Sequence, residues 1–541
     1  MYFIGVDVGT SSVRAGLVKK VENGGGKLIK YHAEPITIFK PKTSYFEQSS
    51  KNIWDKVCEC VKNVTADIID KSEIKGIGFD ATCSLVLLDK HNEPLSASPT
   101  NNNDQNIIMW LDHRAEKEAD FINSLGHDCL KYVGGKVSLE MEIPKLLWLK
   151  RNMLDSYNNI HYAFDLPDFL TFKATGKTSR SICSLTCKWN YDAVKGQFPQ
   201  DYFESIGLKE LTEDNYSKIG NDILFPGDFV GKLSNEAAND MNLINGISVA
   251  TSIIDAHAGG LGLIGSTTNK LSDVDLTSKL VLIAGTSSCH MSITENILFT
   301  KGVWGPYKNA LIPNYFLSEG GQSASGVLID YILSTHPDYQ KTLNDLNGQN
   351  IHDYLYDEIL KLSTSASLKT FHELTKDFHI YPDFHGNRSP VADSTLTGMI
   401  CGLTMHNSIF ITYLAMIQAL SYSTKHIIES LYKAGRNEFK SILICGGLSK
   451  NKLFIQTTAD VCSIPVLISN EPESVLLGAA ILGATASKIF PNLKTAINEL
   501  KNDAYQIEAD VNSFDYHSRK YRVFLKMLDD QQSYKNIMNG T

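Results

Sequence analysis

Hydrophobic residues in this chain fall into short runs broken by small polar turns. Residues 2–8 (YFIGVDV) and 13–18 (VRAGLV) are apolar runs separated by Gly9-Thr10-Ser11-Ser12, the pattern of a strand, a tight turn and a second strand. Residues 74–79 and 84–89 repeat that style around Asp80-Ala81-Thr82-Cys83, and residues 279–284 and 289–293 flank Gly285-Thr286-Ser287-Ser288. Longer periodic segments predict helices over 104–125 and 144–155, the latter with Pro144 in its first turn. A further helix is predicted over about 406–434, stopped at Gly435. The segment FKSILICGGLSKN reads as a buried strand (441–445), a Gly-Gly turn and a helix from about Asn451. A small-residue helix follows at 473–488, where Gly478, Ala479, Ala480, Gly483 and Ala484 invite close approach to its backbone, and the charged tail 515–537 is helical. Residues 98–106 read as a loop, and 335–376 as peripheral helices and loops.

The tetrapeptide GTSS occurs at 9–12 and again at 285–288, both times in a turn between strand-like runs. Matching contexts near the starts of two halves predict a duplication, with domains at 1–265 and 266–541 facing each other. Early hairpins predict mixed sheets in two α/β domains, since a purely parallel sheet needs a crossover between neighbouring strands.

Composition narrows the partners. A length of 541 residues with 43% hydrophobic content supports two to four domains. The 51 basic against 60 acidic residues give a net charge of −9, which argues against a nucleic-acid binder. The sequence has neither an apolar stretch long enough for a membrane span nor a secretory leader pattern. Ten cysteines without a CxxC pair read most simply as free thiols in a reduced, cytoplasmic protein, and no His/Cys/acid cluster is expected to have zinc spacing.

Several motifs have an ordinary reading beside a functional one. Gly260-Leu-Gly-Leu-Ile-Gly265 matches GxGxxG but lacks the preceding strand and the later acid, so close helix packing is the expectation. Residues 171–178 imitate a phosphate loop with Thr171 where the first glycine belongs, and residues 321–326 are one residue too long for a nucleophile elbow. Each GTSS turn could be a plain hairpin; as a pair, with hydroxyls beside backbone N–H groups, they are better candidates for phosphate nests. Asp7 beside the first turn suggests Mg²⁺. Asp255, delivered by an apolar run into DAHAGG, could be a general base or a helix cap, and His257 a local hydrogen-bonding partner. Gly446-Gly447 offers a backbone wall for a flat base or sugar, or a plain strand–helix turn. Trp110-Leu-Asp112-His113-Arg114 groups groups suited to sugar recognition, or begins a solvated helix.

Together GVDVGTSSVRA, DATCSLV (80–86), WLDHRA (110–115), DAHAGG (255–260), AGTSSCH (284–290) and CGGLSKN (445–451) resemble the FGGY carbohydrate kinases, in order, from residue 2 to about 530. The segments 164–176, 215–221 and 382–390 look closest to the D-ribulose kinase branch. The resemblance implies two ribonuclease H-like (actin-like ATPase) domains closing over ATP and a sugar in an inter-domain cleft. By the same resemblance Asp7, Thr10, Ser11 and Arg14 handle phosphates and Mg²⁺, with Asp255 as the catalytic base and a second metal contact. Gly285, Thr286 and Ser287 hold phosphates from the other side, and Gly446, Gly447 and Asn451 match the adenosine motif. The sugar wall draws on Ala81, Thr82, Cys83, Asp112, Arg114, Glu140, Lys188, Asp255 and Glu319. Ala81 and Thr82 replace the Arg-Glu pair of glycerol kinases, which disfavours glycerol and leaves room for a longer ketose. The expected reaction is phosphorylation of a primary hydroxyl of D-ribulose, with xylulose, ribitol or a nucleotide-gated clamp as alternatives. A homodimer is compatible with the resemblance, though no interface is legible.

Overall fold

A computed structural model describes residues 1–21, 24–268 and 275–540. The chain opens with strands β1 (Tyr2–Val8), β2 (Ser12–Lys20) and β3 (Gly26–Pro35), then helix α1 (Ser50–Thr65) and strand β4 (Ile74–Ala81). After helices α2 (Glu116–Leu125), α3 (Glu142–Asn152) and α4 (Ile182–Lys188) come β5 (Phe229–Lys232), β6 (Ser248–Ala250), β7 (Ile253–Ile254) and α5 (Asp255–Ile264). The second half carries β8 (Lys279–Ala284), β9 (Ser288–Thr294), β10 (Trp304–Lys308), β11 (Phe316–Gln322), α6 (Ile409–Lys433), β12 (Ser441–Cys445), α7 (Lys452–Cys462), β13 (Val466–Ser469), α8 (Ser474–Ala486), β14 (Ala504–Ile507) and α9 (Phe514–Asn539).

Two mixed sheets dominate, and their strand orders match. The first runs β3-β2-β1-β4-β6-β5 with β7 also on β4; the second runs β10-β11-β9-β8-β12-β13-β14. In each, three antiparallel strands are followed by two parallel ones and an antiparallel edge. The repeat read from two tetrapeptides is therefore a repeat of whole sheets, and β10 is the addition that extends the second.

The halves are laced together by two small-residue helices. Helix α8, from the second half, lies on β1 and β4 of the first sheet, while α5 lies between β7 and strands β8 and β12 of the second. Glycines make this approach possible: a Cβ on Gly5, Gly76 or Gly78 would strike backbone atoms of α8, and one on Gly262 would strike Ser474 O. The GxGxxG segment is thus helix–helix packing, as read. Residues 171–175 end a helix that Gly176 caps in the left-handed region (φ 73°), so no phosphate loop forms there.

Three sequence expectations need correction. Only Glu116–Leu125 of the predicted 104–125 helix is helical; Ile107–Ile108 instead form a buried strand paired with Leu85–Val86 and Glu47–Gln48. Residues 84–89 do not fold back on 74–79. The chain crosses from β4 into a separate four-stranded sheet of Glu47–Gln48, Leu85–Leu88, Ile107–Ile108 and Tyr162–Asp165. The 144–155 helix breaks at Met153 into two pieces. In the first two places apolar runs are buried on both faces, and periodicity alone does not separate such strands from helix or hairpin.

Candidate active site

Three carboxylates meet where the first sheet ends. Asp7 and Asp80 are Cα partners on parallel strands β1 and β4, Ile253 of β7 pairs with Asp80, and Asp255 begins α5 directly after β7. Asp7 also faces Arg14 across the first hairpin, which donates from Nε (2.7 Å) and Nη2 (2.5 Å) to Asp7 Oδ2 and from Nη1 (2.9 Å) to Glu473 Oε2. Arg14 is thus bound to acids and ties the first turn to the start of α8. Asp80 is fully buried, and neither of its oxygens meets a hydrogen-bond donor among the described residues. Burial, and then the neighbouring Asp7, push its carboxyl well above the usual range. Burial and Asp7 likewise raise Asp255, to about 6, which leaves it ionised at neutral pH.

Three turns converge on this corner. Gly9 N–H donates to Ser12 O (3.0 Å) and Gly285 N–H to Ser287 O (2.9 Å), so both GTSS segments are tight hairpins. Thr10 Oγ1 accepts from the Trp110 indole (3.1 Å), which seats the WLDHR segment beside the first turn. Ser11 and Thr286 are exposed at the tips, Ser287 is half-buried, and Thr286 O accepts from Ser325 N–H (2.8 Å). Gly446, at φ 88°, packs on Ala284, and Cys445 before it is hydrogen-bonded by Ser474 at the start of α8. A Cβ built on Gly447 meets nothing within 4 Å, and those on Gly9 and Gly285 meet only a turn carbonyl at 3.7 and 3.9 Å. Packing within the fold does not require glycine at these three positions. The N-termini of α5 and α8, the positive ends of their dipoles, open onto the same corner. The carboxylates Asp7, Asp80 and Glu473 share the Arg14 guanidinium, and Asp255 adds a fourth acid whose nearby cations are His257 and Lys188. Oxygen ligands in that excess suit a hard divalent cation and would repel bare phosphates.

Beside the carboxylates lies a cluster of charged side chains around an indole. Trp304 on β10 is flanked by Lys188 Nζ at 5.0 Å and the Arg388 guanidinium at 5.0 Å from its ring. Glu140 and Glu319 are the acids that act on both cations. His257 Nε2 lies 3.1 Å from Glu319 Oε2 and its Nδ1 3.0 Å from Cys183 Sγ. Burial would raise the Glu319 carboxyl, but His257, Arg388 and Lys188 hold it down at about 2. Ala81 and Cys83 are buried at the end of β4, and the Thr82 hydroxyl has no partner among the described residues.

Three expected residues are committed elsewhere. Arg114 and Asp112 are fully buried against one another and Glu47: four hydrogen bonds from the Arg114 guanidinium go to Asp112, Glu47 and Ala97 O, and its plane lies over Tyr45 and Trp148. They brace the wall from behind instead of lining it. Asn451 caps α7 through Oδ1 (3.0 Å to Phe454 N) and donates from Nδ2 to Tyr413 OH (2.7 Å), so it shapes the Gly446-Gly447 turn from beneath. Conversely, Asp80, Glu473, Trp304 and Arg388 belong to the site by position yet were not singled out. Asp80 opens the quoted DATCSLV motif and Arg388 lies in the quoted 382–390 segment, so a signal existed for both; Trp304 and Glu473 have none in the sequence.

A two-sheet duplication with a carboxylate corner and three open glycine turns between the halves defines the actin-like class of nucleotide-binding proteins. The chain matches the N-terminal domain of the FGGY family of carbohydrate kinases over residues 2–262 and the C-terminal domain over 280–487. It therefore belongs to that family and is a sugar kinase. It is 45% identical to the human FGGY carbohydrate kinase domain-containing protein over 99% of this chain and 98% of the other. It is 38% identical to a D-ribulokinase of Saccharomyces cerevisiae over 90% of this chain and 72% of that one. Among solved structures, the xylulose kinase from Rhodospirillum rubrum superposes with a TM-score of 0.80 at 18% identity, covering 99% of each chain. The glycerol kinase from Plasmodium falciparum with ADP superposes at 0.76 and 17% identity over 97% of this chain and 98% of that one.

Proposed function

We propose that the protein is an ATP-dependent D-ribulokinase that phosphorylates a primary hydroxyl of the sugar. The observation that carries this reading is the corner where Asp255 faces both the open glycine turns and the Lys188–Trp304–Arg388 cluster. Similarity to the yeast D-ribulokinase supports the choice of sugar, and the small Ala81-Thr82-Cys83 wall leaves room for a five-carbon ketose.

The sugar oxygen attacks the γ-phosphorus, the bond from that phosphorus to the bridging oxygen of ADP breaks, and Asp255 takes the hydroxyl proton. Such a transfer has a loose transition state, so orientation and charge stabilisation outweigh nucleophilic push. Asp255 orients the hydroxyl. Thr10 and Ser11 on one side, and Gly285, Thr286 and Ser287 on the other, hold phosphate oxygens. Gly446 and Gly447 form the wall for adenosine, with Asn451 supporting them. Lys188, Glu140 and Glu319 bind sugar hydroxyls, joined here by Arg388. A magnesium ion, when held by Asp7 and Asp255 beside Asp80, supplies neutralisation of the phosphate charge. Residues 1–265 and 266–541 are the units that close, excluding water as a competing acceptor.

The test is ADP release with Mg-ATP against D-ribulose, L-ribulose, D-xylulose, L-xylulose, ribitol and glycerol. D-ribulose should stimulate selectively. Asp255→Asn should lower turnover about 10²–10⁴-fold while ATP still binds. Near-normal turnover in the variant would remove Asp255 as the base. Stimulation by another sugar would reassign the substrate, and slow turnover indifferent to all of them would favour the clamp.

A further inference from the structure

Among the described residues, two buried clusters bring three metal-ligating atoms within 4.8 Å of one another: Cys183, Cys187 and His257, and His372, Asp460 and His517. The second has one carboxylate and lies beside Lys425 and Lys520. A dication there would be left with uncompensated positive charge. The first has two sulfurs and a nitrogen, and two thiolates neutralise a dication outright.

From this geometry we propose that Cys183, Cys187 and His257 form a binding site for a thiophilic d¹⁰ dication, Zn²⁺ in the first instance, beneath the cleft. Cys183 and Cys187 lie one turn apart on α4, so their side chains share a face. Helix α4 is held against the end of the first sheet: Ser181, its cap, donates to Ser252 O (2.6 Å). That places the sulfurs against His257 in the first turn of α5, with Cys183 Sγ 3.0 Å from Nδ1. All three residues are at most 2% exposed. Tetrahedral zinc, with Zn–S of ~2.3 Å and Zn–N of ~2.0–2.1 Å, needs ligand atoms roughly 3.6–3.8 Å apart. Atoms within 4.8 Å reach that spacing by small rotamer shifts.

A second observation points to a metal. Metal-bound histidines donate their remaining ring N–H to a carboxylate, which fixes the tautomer. Here His257 Nε2 is 3.1 Å from Glu319 Oε2, with Nδ1 turned to the sulfurs. Binding releases two protons, one from the thiols and one from the imidazole–thiol pair, and leaves Nε2–H on Glu319. Two thiolates, one neutral imidazole and one dication then sum to zero. The charged groups around the cluster are Glu319, Asp168, Lys188 and, two residues before His257, Asp255. The three ligands leave the fourth position to water. The bound ion would staple α4, which ends in Lys188, to α5, which begins with Asp255. Along the sequence Cys183 and Cys187 have a Cys-x₃-Cys spacing within the zinc range, but the histidine lies far downstream, which hid the cluster from the sequence reading.

The test uses the full-length chain, stripped of metal, reduced, and incubated with Zn²⁺, with Cd²⁺ in a parallel sample. One equivalent should bind, and zinc-edge X-ray absorption of the wild-type complex should show two sulfurs at about 2.3 Å with one imidazole nitrogen. The Cd²⁺ sample should show thiolate charge-transfer absorption. Cys183→Ser and Cys187→Ser should each weaken Zn²⁺ binding at least tenfold, and Glu319→Gln about 10–100-fold. A first shell without sulfur, or no stoichiometric binding, overturns the site even if the serine variants fail to fold. Unchanged affinity in folded Cys183→Ser and Cys187→Ser variants overturns it as well.

Discussion

At the residue scale, the open glycines separate structural necessity from ligand necessity. A Cβ at Gly78 would lie on the carbonyl of Ala479, whereas one at Gly447 would enter free space. Gly447→Val should therefore leave thermal unfolding near wild type and weaken ATP binding at least tenfold, which calorimetric titration with nucleotide measures. Unchanged affinity would free this turn of the adenosine role. Position also revises individual side chains. Arg114 was expected on the sugar wall because Arg and Asp in WLDHR suit hydroxyl recognition. The fold spends both on a buried ion pair with Glu47, and removing one partner from such a group leaves a charge uncompensated. Asp80 shows the reverse: an acid with no donor among the described residues, at the point where Asp7 and Asp255 also arrive.

At the element scale, two helices carry the arrangement. Helix α8 was legible as a small-residue helix that something approaches, and the structure identifies the partners as β1 and β4 of the other half and α5. Gly78→Ala should cost about 1–3 kcal/mol by forcing this contact apart, read from urea unfolding. Helix α9 docks through Lys520, whose Nζ donates to the carbonyls of Thr375 and Phe378. Burial lowers this lysine to about 7. In the unfolded chain it titrates near ~10.4, so between those values the unfolded state binds the extra proton and stability rises with pH. The difference in Tm between wild type and Lys520→Met should shift in favour of wild type from pH 7 to 10. A flat difference would mean the amine stays charged in the folded state.

At the scale of the whole molecule, each sheet is packed by a helix from the other half, so movement of one half is coupled to both turns and to the start of α5. A non-hydrolysable ATP analogue together with D-ribulose should lower the radius of gyration in solution scattering, and the sugar alone should do so less. Equal values in all states would argue against closure. The sequence by itself determined the duplication, the two GTSS hairpins, the mixed sheets, most long helices and the family, because these rest on local periodicity, turn chemistry and contiguous motifs. Tertiary structure alone decided that Ile107–Ile108 is a strand, that Arg114 and Asn451 turn inward, and that Trp304, Arg388 and Glu473 join the site. It alone also placed Cys183 and Cys187 against His257. In each case the partners lie far apart along the chain, and burial and charge pairing exist only once the halves are packed.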